Sequence, residues 1–251
     1  MRIFKQFVYG LFYIAVFGGL VFGFYSLYIK PAPSCFNEIK DASEEGIDCG
    51  GVCSKICLSA NFRPIETGGV VQIFHPTESG ISAIIQIQNP NSDLAARSFP
   101  YDFVFYDAQG GVIKKASGNS FIYASEIKYI TELNIQFTDS AKITSVQFVP
   151  GQPNWVSKSL FNRPQLSPQN SVTSVYGNGI QVNGNFVNND TVPINQVTVL
   201  AVFYNQLGQQ AGISKSETGS VAPGQQQAFS IFHPLLKNIN LSATKIYLYG
   251  Y

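Results

Sequence analysis

The segment Phe-Tyr-Asp-Ala-Gln-Gly at residues 105–110 recurs as Phe-Tyr-Asn-Gln-Leu-Gly at residues 203–208. In each copy an aromatic pair is followed by Asp or Asn and, three residues later, by Gly. These residues are typical of a hairpin turn, in which the glycine supplies a positive φ. The recurrence at a distance of 98 residues predicts two β-structured units with a common plan.

The same distance aligns residues far from the turn. With a one-residue gap it also sets Ile87 against Phe186. The match extends over about 55 residues, which predicts two related domains at 62–150 and 169–251. Residues 151–168 between them are rich in Pro, Asn and Gln, and we expect them to form a linker. The aligned pairs are Asn91 with Asn189, Gly110 with Gly208, Ala124 with Ala222, and Phe148 with Ile246.

Each domain has the pattern of an all-β fold. Ala83, Ile85 and Ile87 alternate with polar neighbours, as expected for a strand with one buried face. About 85 residues with six or seven strands is the size of an immunoglobulin-like sandwich. The predicted fold class is therefore all-β, with two tandem Ig-like β-sandwiches after one N-terminal transmembrane helix and a short disulfide-bonded segment.

Turn and strand segments of both domains are similar to those of known families. In the second domain they are Asn188-Asn189-Asp190, Val197–Tyr204, Gly208 and Val221–Gly224, and in the first they are Asn89–Ser92 and Pro100–Phe103. The second domain resembles the bacterial FxLYD-type domain, although Asn205 stands where that pattern usually has Asp. The first resembles the water-stress and late-embryogenesis-abundant β-sandwiches. The resemblance implies small extracytoplasmic or stress-associated sandwiches, and it carries over no catalytic residue.

All four cysteines lie in one short segment, at Cys35, Cys49, Cys53 and Cys57. An even number of cysteines outside the cytoplasm predicts two disulfides, and three pairings are open. The segment has few large apolar residues, so cross-links rather than a core are expected to hold its shape. Zinc is the alternative, although spacings of 13, 3 and 3 residues differ from the paired CxxC of common zinc sites.

Acidic and amide side chains accompany the cysteines and offer oxygen ligands for calcium. The candidate ligands are Asn37, Asp41, Glu44 and Asp48. Their spacing does not match an EF-hand loop, and a solvated acidic surface is the alternative. Cys35, Asn37 and the run Asp48-Cys49-Gly50-Gly51 with Cys53 resemble a small module of bacterial surface proteins. The resemblance implies an extracellular disulfide-bonded stalk, here residues 30–61, and no activity.

Residues 7–29 form an uncharged stretch that is long enough for a helix to span the hydrocarbon core of a membrane. Arg2 and Lys5 precede it, and an acidic stretch follows Lys30. The positive-inside rule then predicts a plasma-membrane protein with a cytoplasmic tail, residues 1–6, and an extracytoplasmic C-terminal region. A cleaved signal peptide is the alternative, which the length of the run and the prolines after Lys30 disfavour.

Small residues mark one face of this helix. Ala15, Gly19 and Gly23 lie four residues apart, a spacing at which two membrane helices can approach closely. The pattern predicts a homo-oligomer formed through the helix, and the ordinary glycine content of membrane helices is the alternative explanation.

The composition excludes several classes of function. Charged residues make up 12% of the chain and the net charge is +1, so nucleic-acid binding is not expected. The sequence has no GxSxG, HExxH, Walker or GxGxxG motif, and we expect no cofactor, no metal and no catalytic residue. The leading hypothesis is a non-catalytic surface spacer or binding module in contact with the lipid bilayer and other envelope or surface proteins. The alternatives are a structural subunit of a secretion, pilus or division complex, and a hydrolase with an unrecognised site.

Tyrosine, amide and hydroxyl side chains dominate the predicted surface of both domains, and they suit contact rather than proton transfer. The turns at 107–111 and 205–209 are predicted contact surfaces. The alternating Tyr247, Tyr249 and Tyr251 form a third such surface if they do not belong to the core.

Overall fold

The apolar stretch near the N-terminus forms one helix, α1, over Arg2–Phe24. The computed structural model describes residues 2–26, 33–53, 55–57, 62–138 and 142–251. Within α1 the segment Phe4–Phe24 has a mean hydropathy of 2.0 and is not buried against the rest of the chain. At about 1.5 Å per residue this segment spans about 30 Å, the thickness of a hydrocarbon core. The predicted end of the span, residues 27–29, and Lys30 lie outside the described residues.

The first sandwich packs two antiparallel sheets face to face. Its strands are β1 (Glu66–Thr67), β2 (Gln72–Phe74), β3 (Gly80–Gln88), β4 (Leu94–Tyr106), β5 (Val112–Ile122), β6 (Ile127–Gln136), β7 (Ser145–Pro150) and β8 (Asn154–Ser157). In sheet 1, β3 is central, with β6 on one side and β1 and β2 on the other. In sheet 2, β4 is central, with β5 on one side and β7 and β8 on the other.

The second sandwich repeats this arrangement. Its strands are β9 (Leu166–Tyr176), β10 (Gly179–Asn188), β11 (Val197–Asn205), β12 (Gln210–Thr218), β13 (Gln226–Pro234) and β14 (Ile239–Gly250). Sheet 3 has the order β13-β10-β9 and sheet 4 the order β12-β11-β14. The central strands are thus β3 and β4 in the first sandwich and β10 and β11 in the second. The predicted all-β fold after a single helix is confirmed.

A buried asparagine fixes the same connection in both sandwiches. Asn89 and Asn188 are fully buried at the end of the central strands β3 and β10. The Nδ2 of Asn89 donates to the carbonyls of Leu94 and Tyr123, at 2.7 and 3.0 Å. Asn188 makes the matching pair of bonds in the second sandwich, both at 3.0 Å. These two asparagines therefore stabilise the fold, because each joins two separate carbonyls of the chain through buried hydrogen bonds.

Each sandwich has its own apolar core between its two sheets. The first is centred on Phe99, Phe103 and Phe105, and the second on Phe186 and Phe203. All five side chains are fully buried. Neither core needs a disulfide, because these rings and the β-branched residues around them bury enough apolar surface to support a sandwich.

A third buried cluster lies between the two sandwiches. Leu200 and Val202 point from β11 away from the second core and pack against Phe74 and Ile84 of the first sandwich. We call this the interdomain cluster, formed by Phe74, Ile84, Leu200, Val202, Ile213 and Tyr249. Sheet 4 is consequently covered on both faces, which accounts for the almost unbroken apolar run of β11.

The predicted linker is partly structured. Its first half forms β8, which pairs with β4, and a 3-10 turn at Lys158–Leu160. The ring of Phe161 then stacks on Tyr123, with 4.6 Å between centroids. Because β9 begins at Leu166, only residues 161–165 join the two sandwiches outside regular structure. Residues 60–251 accordingly form one compact unit, and residues 1–59 form another.

Candidate functional site

A cleft of about 350 Å³ opens where the two sandwiches meet, next to the interdomain cluster. One wall comes from β4, β5 and β6 of the first sandwich, and the other comes from the outer face of sheet 4. We call it the interdomain cleft. Its polar and charged lining includes Arg97, Tyr101, Asn119, Lys128, Thr131, Gln196, Thr198, Lys215, Glu217 and Tyr249.

Lys128 is the most enclosed cation of the cleft, with 4% of its surface exposed. Its Nζ donates to the carbonyl of Phe121 at 3.0 Å and lies 3.3 Å from the centroid of the Phe121 ring. It also lies 4.9 Å from the ring centroid of Tyr249, so one ammonium group contacts both sandwiches. Burial lowers the pKa of Lys128 to about 7, while Glu126 opposes this shift and Lys215 adds to it.

The other charges of the cleft come from β4 and β12. The Nζ of Lys215 lies 3.9 Å from a carboxylate oxygen of Glu217, whose second oxygen accepts a hydrogen bond from Gln196 at 2.9 Å. Arg97 donates to a backbone carbonyl at 3.2 Å. Together with Lys128, the lining holds three cations and one carboxylate. The electrostatic character of the cleft is therefore positive.

A second carboxylate is enclosed near Lys128. The side chain of Glu126 is 2% exposed, and one of its oxygens lies 3.8 Å from Nε of Arg163. Its other oxygen accepts the N–H of Tyr123 at 2.9 Å. Burial raises the pKa of Glu126, and Lys128, the Tyr123 N–H and Arg163 act against that shift. The carboxylate of Glu126 is thus shared among several partners, so it neutralises the charge of Lys128 only in part.

Two tyrosines of the cleft are fixed by hydrogen bonds. Tyr101 donates to a carboxylate oxygen of Glu132 at 2.8 Å. The hydroxyl of Tyr249 accepts the N–H of Tyr129 at 3.0 Å, a bond that joins the two sandwiches. Burial raises the pKa of both hydroxyls, and Glu132 raises that of Tyr101 further. Both tyrosines therefore stay protonated at neutral pH and act as hydrogen-bonding groups.

The rest of the lining is neutral and polar. Asn119 and Gln196 contribute amides, and Thr131 and Thr198 contribute hydroxyls, which can both donate and accept hydrogen bonds. Among the described residues that line the cleft there is no histidine and no cysteine. The arrangement provides charge and hydrogen bonds for a bound molecule.

The predicted pair of disulfides is confirmed, and the pairing is Cys35–Cys53 and Cys49–Cys57. The glycines of the segment are structural. Gly50 and Gly51 have positive φ, and a Cβ at Gly51 would overlap the carbonyl oxygen of Ser43. Sequence alone left three pairings open because the choice depends on these turns.

The four candidate calcium ligands share one hydrogen-bond network. The carboxylate of Asp48 accepts the N–H groups of residues 37 and 38, each at 3.0 Å. One oxygen of Glu44 accepts the N–H groups of Asp41 and Asp48, at 3.1 and 3.2 Å. Asp41 accepts from the amide of Asn37 at 3.1 Å. These bonds give the side chains a structural role in the disulfide-bonded segment. The calcium site stays a prediction.

The disulfide-bonded segment also brings a sulfur atom close to one of these carboxylates. The remaining oxygen of Glu44 lies 3.1 Å from Sγ of Cys53. That sulfur is bonded to Cys35, so it has neither a proton to donate nor a thiolate to offer a metal. The proximity of Cys35, Glu44 and Cys53 therefore reflects loop packing.

The three predicted contact surfaces differ in exposure. Oδ1 of Asp107 accepts two N–H groups of its own turn, at 3.0 and 2.7 Å, and Oδ1 of Asn205 does the same at 2.9 and 3.0 Å. Both turns are exposed. The tyrosine face is different, because Tyr249 is buried and Tyr247 packs on Tyr129 with 5.0 Å between ring centroids. Tyr247 and Tyr249 therefore form part of the contact between the sandwiches, whereas Tyr251 is 49% exposed.

The small residues of α1 lie on the exposed helix. Among the described residues, nothing beyond the adjoining backbone of α1 would come within 4 Å of a Cβ placed at Gly19 or Gly23. Self-association through Ala15, Gly19 and Gly23 stays a prediction.

Sequence reasoning missed the interdomain cleft, although two signals were present. Ile84 is apolar at a place in β3 where the alternation calls for a polar residue, because it faces the second sandwich. Lys128 lies two residues before Ile130 on β6, so its side chain leaves the strand on the same face as Ile130, which belongs to the first core. A lysine on that face must extend its side chain to the edge of the sandwich, where its ammonium group can be solvated or paired.

Comparison with known proteins assigns no family. No family model matches the chain, and no curated protein matches it. Among solved structures, the crystal structure of red sea bream transglutaminase aligns with 75% of this chain and 31% of its own chain, at 10% identity and a TM-score of 0.22. A likeness at that level supports no conclusion about fold or activity.

Proposed function

We propose that this chain is a membrane-anchored extracytoplasmic binding protein, in which the two sandwiches act as one unit and present the interdomain cleft to a ligand. The supporting observation is that the cleft exists only because the interdomain cluster holds the sandwiches together. The helix α1 fits both an anchor and a signal sequence. The length of the apolar run and the prolines after Lys30 favour an anchor, and Arg2 and Lys5 at the start of α1 favour an N-terminus in the cytoplasm.

Binding is favoured over catalysis by the chemistry of the lining. Catalysis by acid, base or nucleophile needs reactive groups gathered in a cleft. Here the carboxylate of Glu217 is engaged by Lys215 and Gln196, and the two anchored tyrosines keep their protons. These groups suit recognition, so we propose that the protein is not an enzyme.

The test of the binding site blocks the cleft. Thr198→Trp fills it from the outer face of β11, and Ser174→Trp places the same ring on the exposed strand β9 as a matched control. Full-length protein in lipid nanodiscs is screened against soluble envelope polysaccharides and peptides. We expect Thr198→Trp to lose the ligand that Ser174→Trp and the unaltered protein retain. Equal retention by both variants would place the binding site elsewhere.

Orientation is tested separately, by adding a protease to intact spheroplasts. We expect the protease to remove residues 60–251 while α1 stays in the membrane. Complete protection of these residues would contradict the proposed orientation.

A second candidate function is a subunit of an envelope assembly. It is favoured by exposed apolar side chains on the outer face of sheet 3, where the rings of Tyr176 and Phe232 lie 5.9 Å apart and are 63% and 54% exposed. If this candidate is correct, detergent-extracted protein migrates in a complex and the pair Tyr176→Ser and Phe232→Ser releases it. Migration alone at the mass of a single chain would count against it.

A further inference from the structure

We propose that the interdomain cleft binds an acidic saccharide, whose carboxylate pairs with Lys128 and Lys215 and whose hydroxyl groups bond to the neutral polar side chains of the lining. This inference rests on the proposed binding function and adds the chemical class of the ligand.

The charges of the cleft are incompletely balanced. An ammonium group has three N–H donors, and Lys128 uses one of them on the carbonyl of Phe121. The carboxylate of Glu217 is already shared by Lys215 and Gln196, and that of Glu126 lies beside Arg163. Lys215 also acts on Lys128 as a like charge, which lowers the pKa of Lys128. An added carboxylate between the two ammonium groups would form charge-assisted hydrogen bonds and relieve that repulsion.

The neutral lining favours a ligand that is rich in hydroxyl groups. Asn119, Gln196, Thr131 and Thr198 each donate and accept hydrogen bonds, and a sugar hydroxyl does the same. Tyr251, at the edge of the cleft, is 49% exposed and offers an aromatic face for the C–H side of a sugar ring. A volume of about 350 Å³ lies near the lower end of the range of about 300–1,000 Å³ for ligand pockets, which suits one or two sugar rings.

A peptide fits the cleft less well. Extended peptides are recognised mainly by pairing with a strand edge, and helical peptides by a long apolar groove. This cleft is short, and its walls are made mostly of side chains with polar ends, from six strands of two sandwiches. Side-chain recognition of a small polar molecule is the mode that it supports.

The titration of Lys128 gives the proposal a pH signature. Burial lowers the pKa of Lys128 to about 7, so above neutral pH a bound carboxylate must draw a proton onto the amine. The affinity for an acidic ligand should then fall as the pH rises from 7 to 9, by at most about tenfold per pH unit. The groups around Lys128 are Glu126 just before β6, Tyr129 on β6, Arg97 on β4, Lys215 and Glu217 on β12, Tyr249 on β14, and Arg163 between the sandwiches.

The experiment uses full-length protein in nanodiscs of zwitterionic lipid and calorimetric titration with three probes. They are trigalacturonate, its neutral methyl ester, and a tripeptide with a free C-terminal carboxylate. The variants are Lys128→Met and Lys215→Met. Lys114→Met is the matched control, because Lys114 also donates to a backbone carbonyl, at 2.6 Å, and lies 5.3 Å from a Phe ring, yet it is exposed and outside the cleft.

We expect trigalacturonate to bind at least about tenfold more tightly than its methyl ester, because a charge-assisted hydrogen bond contributes about 1.5–3 kcal/mol. Lys128→Met and Lys215→Met should each weaken binding about tenfold, and Lys128→Met should also remove the fall in affinity above pH 7. Lys114→Met should bind like the unaltered protein. If thermal unfolding shows that Lys128→Met does not fold, Lys215→Met decides, because its side chain is 34% exposed.

The contrary results are distinct. Equal binding of trigalacturonate and its ester would overturn the role of the cations. Binding of the tripeptide without trigalacturonate would overturn the saccharide but leave the cleft as a binding site. Failure of all three probes overturns the acidic saccharide, and the binding function itself fails only if Thr198→Trp also leaves every interaction of the full chain unchanged.

Discussion

Asp102 and Leu200 occupy equivalent places in the two sandwiches, 98 residues apart on the outer faces of β4 and β11. Asp102 accepts a hydrogen bond from Ser117 at 2.6 Å on the surface of the first sandwich. Leu200 is 1% exposed in the interdomain cluster of the second. The comparison shows that equivalent positions on the outer faces of two related strands can be solvated in one sandwich and buried in the other, and that the neighbouring domain decides which.

The comparison can be broken by exchanging the two residues. Leu200→Asp places a charge in the interdomain cluster without a partner, so we expect a loss on the order of 4 kcal/mol of unfolding free energy. Asp102→Leu should change it by no more than about 0.5 kcal/mol, because the site is at the surface. Urea unfolding is followed by circular dichroism for the whole unit and by the fluorescence of Trp155, which packs on Phe62 in the first sandwich.

If Leu200→Asp separates the sandwiches, the two probes should no longer give the same transition. A Leu200→Asp protein as stable as the original, with coincident transitions, would show that the interdomain cluster does not hold the unit together.

The shared asparagines test how far the two sandwiches are alike. Asn89→Ala and Asn188→Ala each remove two buried hydrogen bonds to carbonyls and at least one more that the side-chain oxygen accepts, so we expect each to lose about 3 kcal/mol of unfolding free energy. Asn154→Ala, at an exposed place on β8, is the control and should be nearly neutral. A large loss for only one of the two buried asparagines would show that the sandwiches depend on this connection to different degrees.

The hairpin turns sharpen the comparison on a smaller scale. Asp107→Ala and Asn205→Ala each remove two bonds to the backbone of the turn, and we expect a loss of about 1 kcal/mol from each. Asp107→Asn and Asn205→Asp should be nearly neutral, because either side chain can accept both N–H groups. Thermal denaturation at neutral pH measures all four, and a costly exchange of Asp for Asn would mean that the turns are not equivalent.

The smallest expected effect concerns a residue that only the first sandwich has. Lys128 loses its proton near pH 7 in the folded protein, while the unfolded chain keeps it up to about pH 10.5. Because the unfolded state then binds more protons, stability rises with pH through this window. We expect the part that depends on Lys128 to be about 0.4 kcal/mol between pH 6 and pH 7.

The measurement compares urea midpoints of the unaltered protein with those of Lys128→Met at both pH values. Because His233 is present in both proteins, the comparison also removes its contribution. Burial lowers the pKa of His233, so this residue too makes the protein more stable as the pH rises. Identical pH dependence in the two proteins would show that Lys128 does not titrate in this range.

Local features of this fold could be predicted from the sequence, and long-range ones could not. The turns at Asp107 and Asn205 were identified because their residue pattern depends on four neighbouring positions. The repeat of two related domains was identified from the same turn residues. For the tyrosines of β14 the sequence left surface and core open, because alternation shows that two faces exist but not what covers the second.

The candidate site was beyond the sequence for the same reason. Lys128 and Lys215 are 87 positions apart in the chain, and no local pattern relates a lysine on β6 to one on β12. Only Ile84 and Leu200 indicated that an outer face was buried. The cysteine pairing also depended on turns such as the one at Gly50-Gly51. The sequence indicates that a turn occurs there, but not the direction in which the chain continues.

Covering the outer face of sheet 4 has a consequence for how this chain changes over generations. The 98-residue repeat indicates that one ancestral domain was duplicated. On β4, Asp102 and Tyr106 face outward in polar contacts, and such positions tolerate many substitutions without loss of fitness. On β11, Leu200 is buried in the interdomain cluster, where selection acts as it does on a core. We therefore expect position 102 to vary more than position 200, although both lie on the same face of equivalent strands.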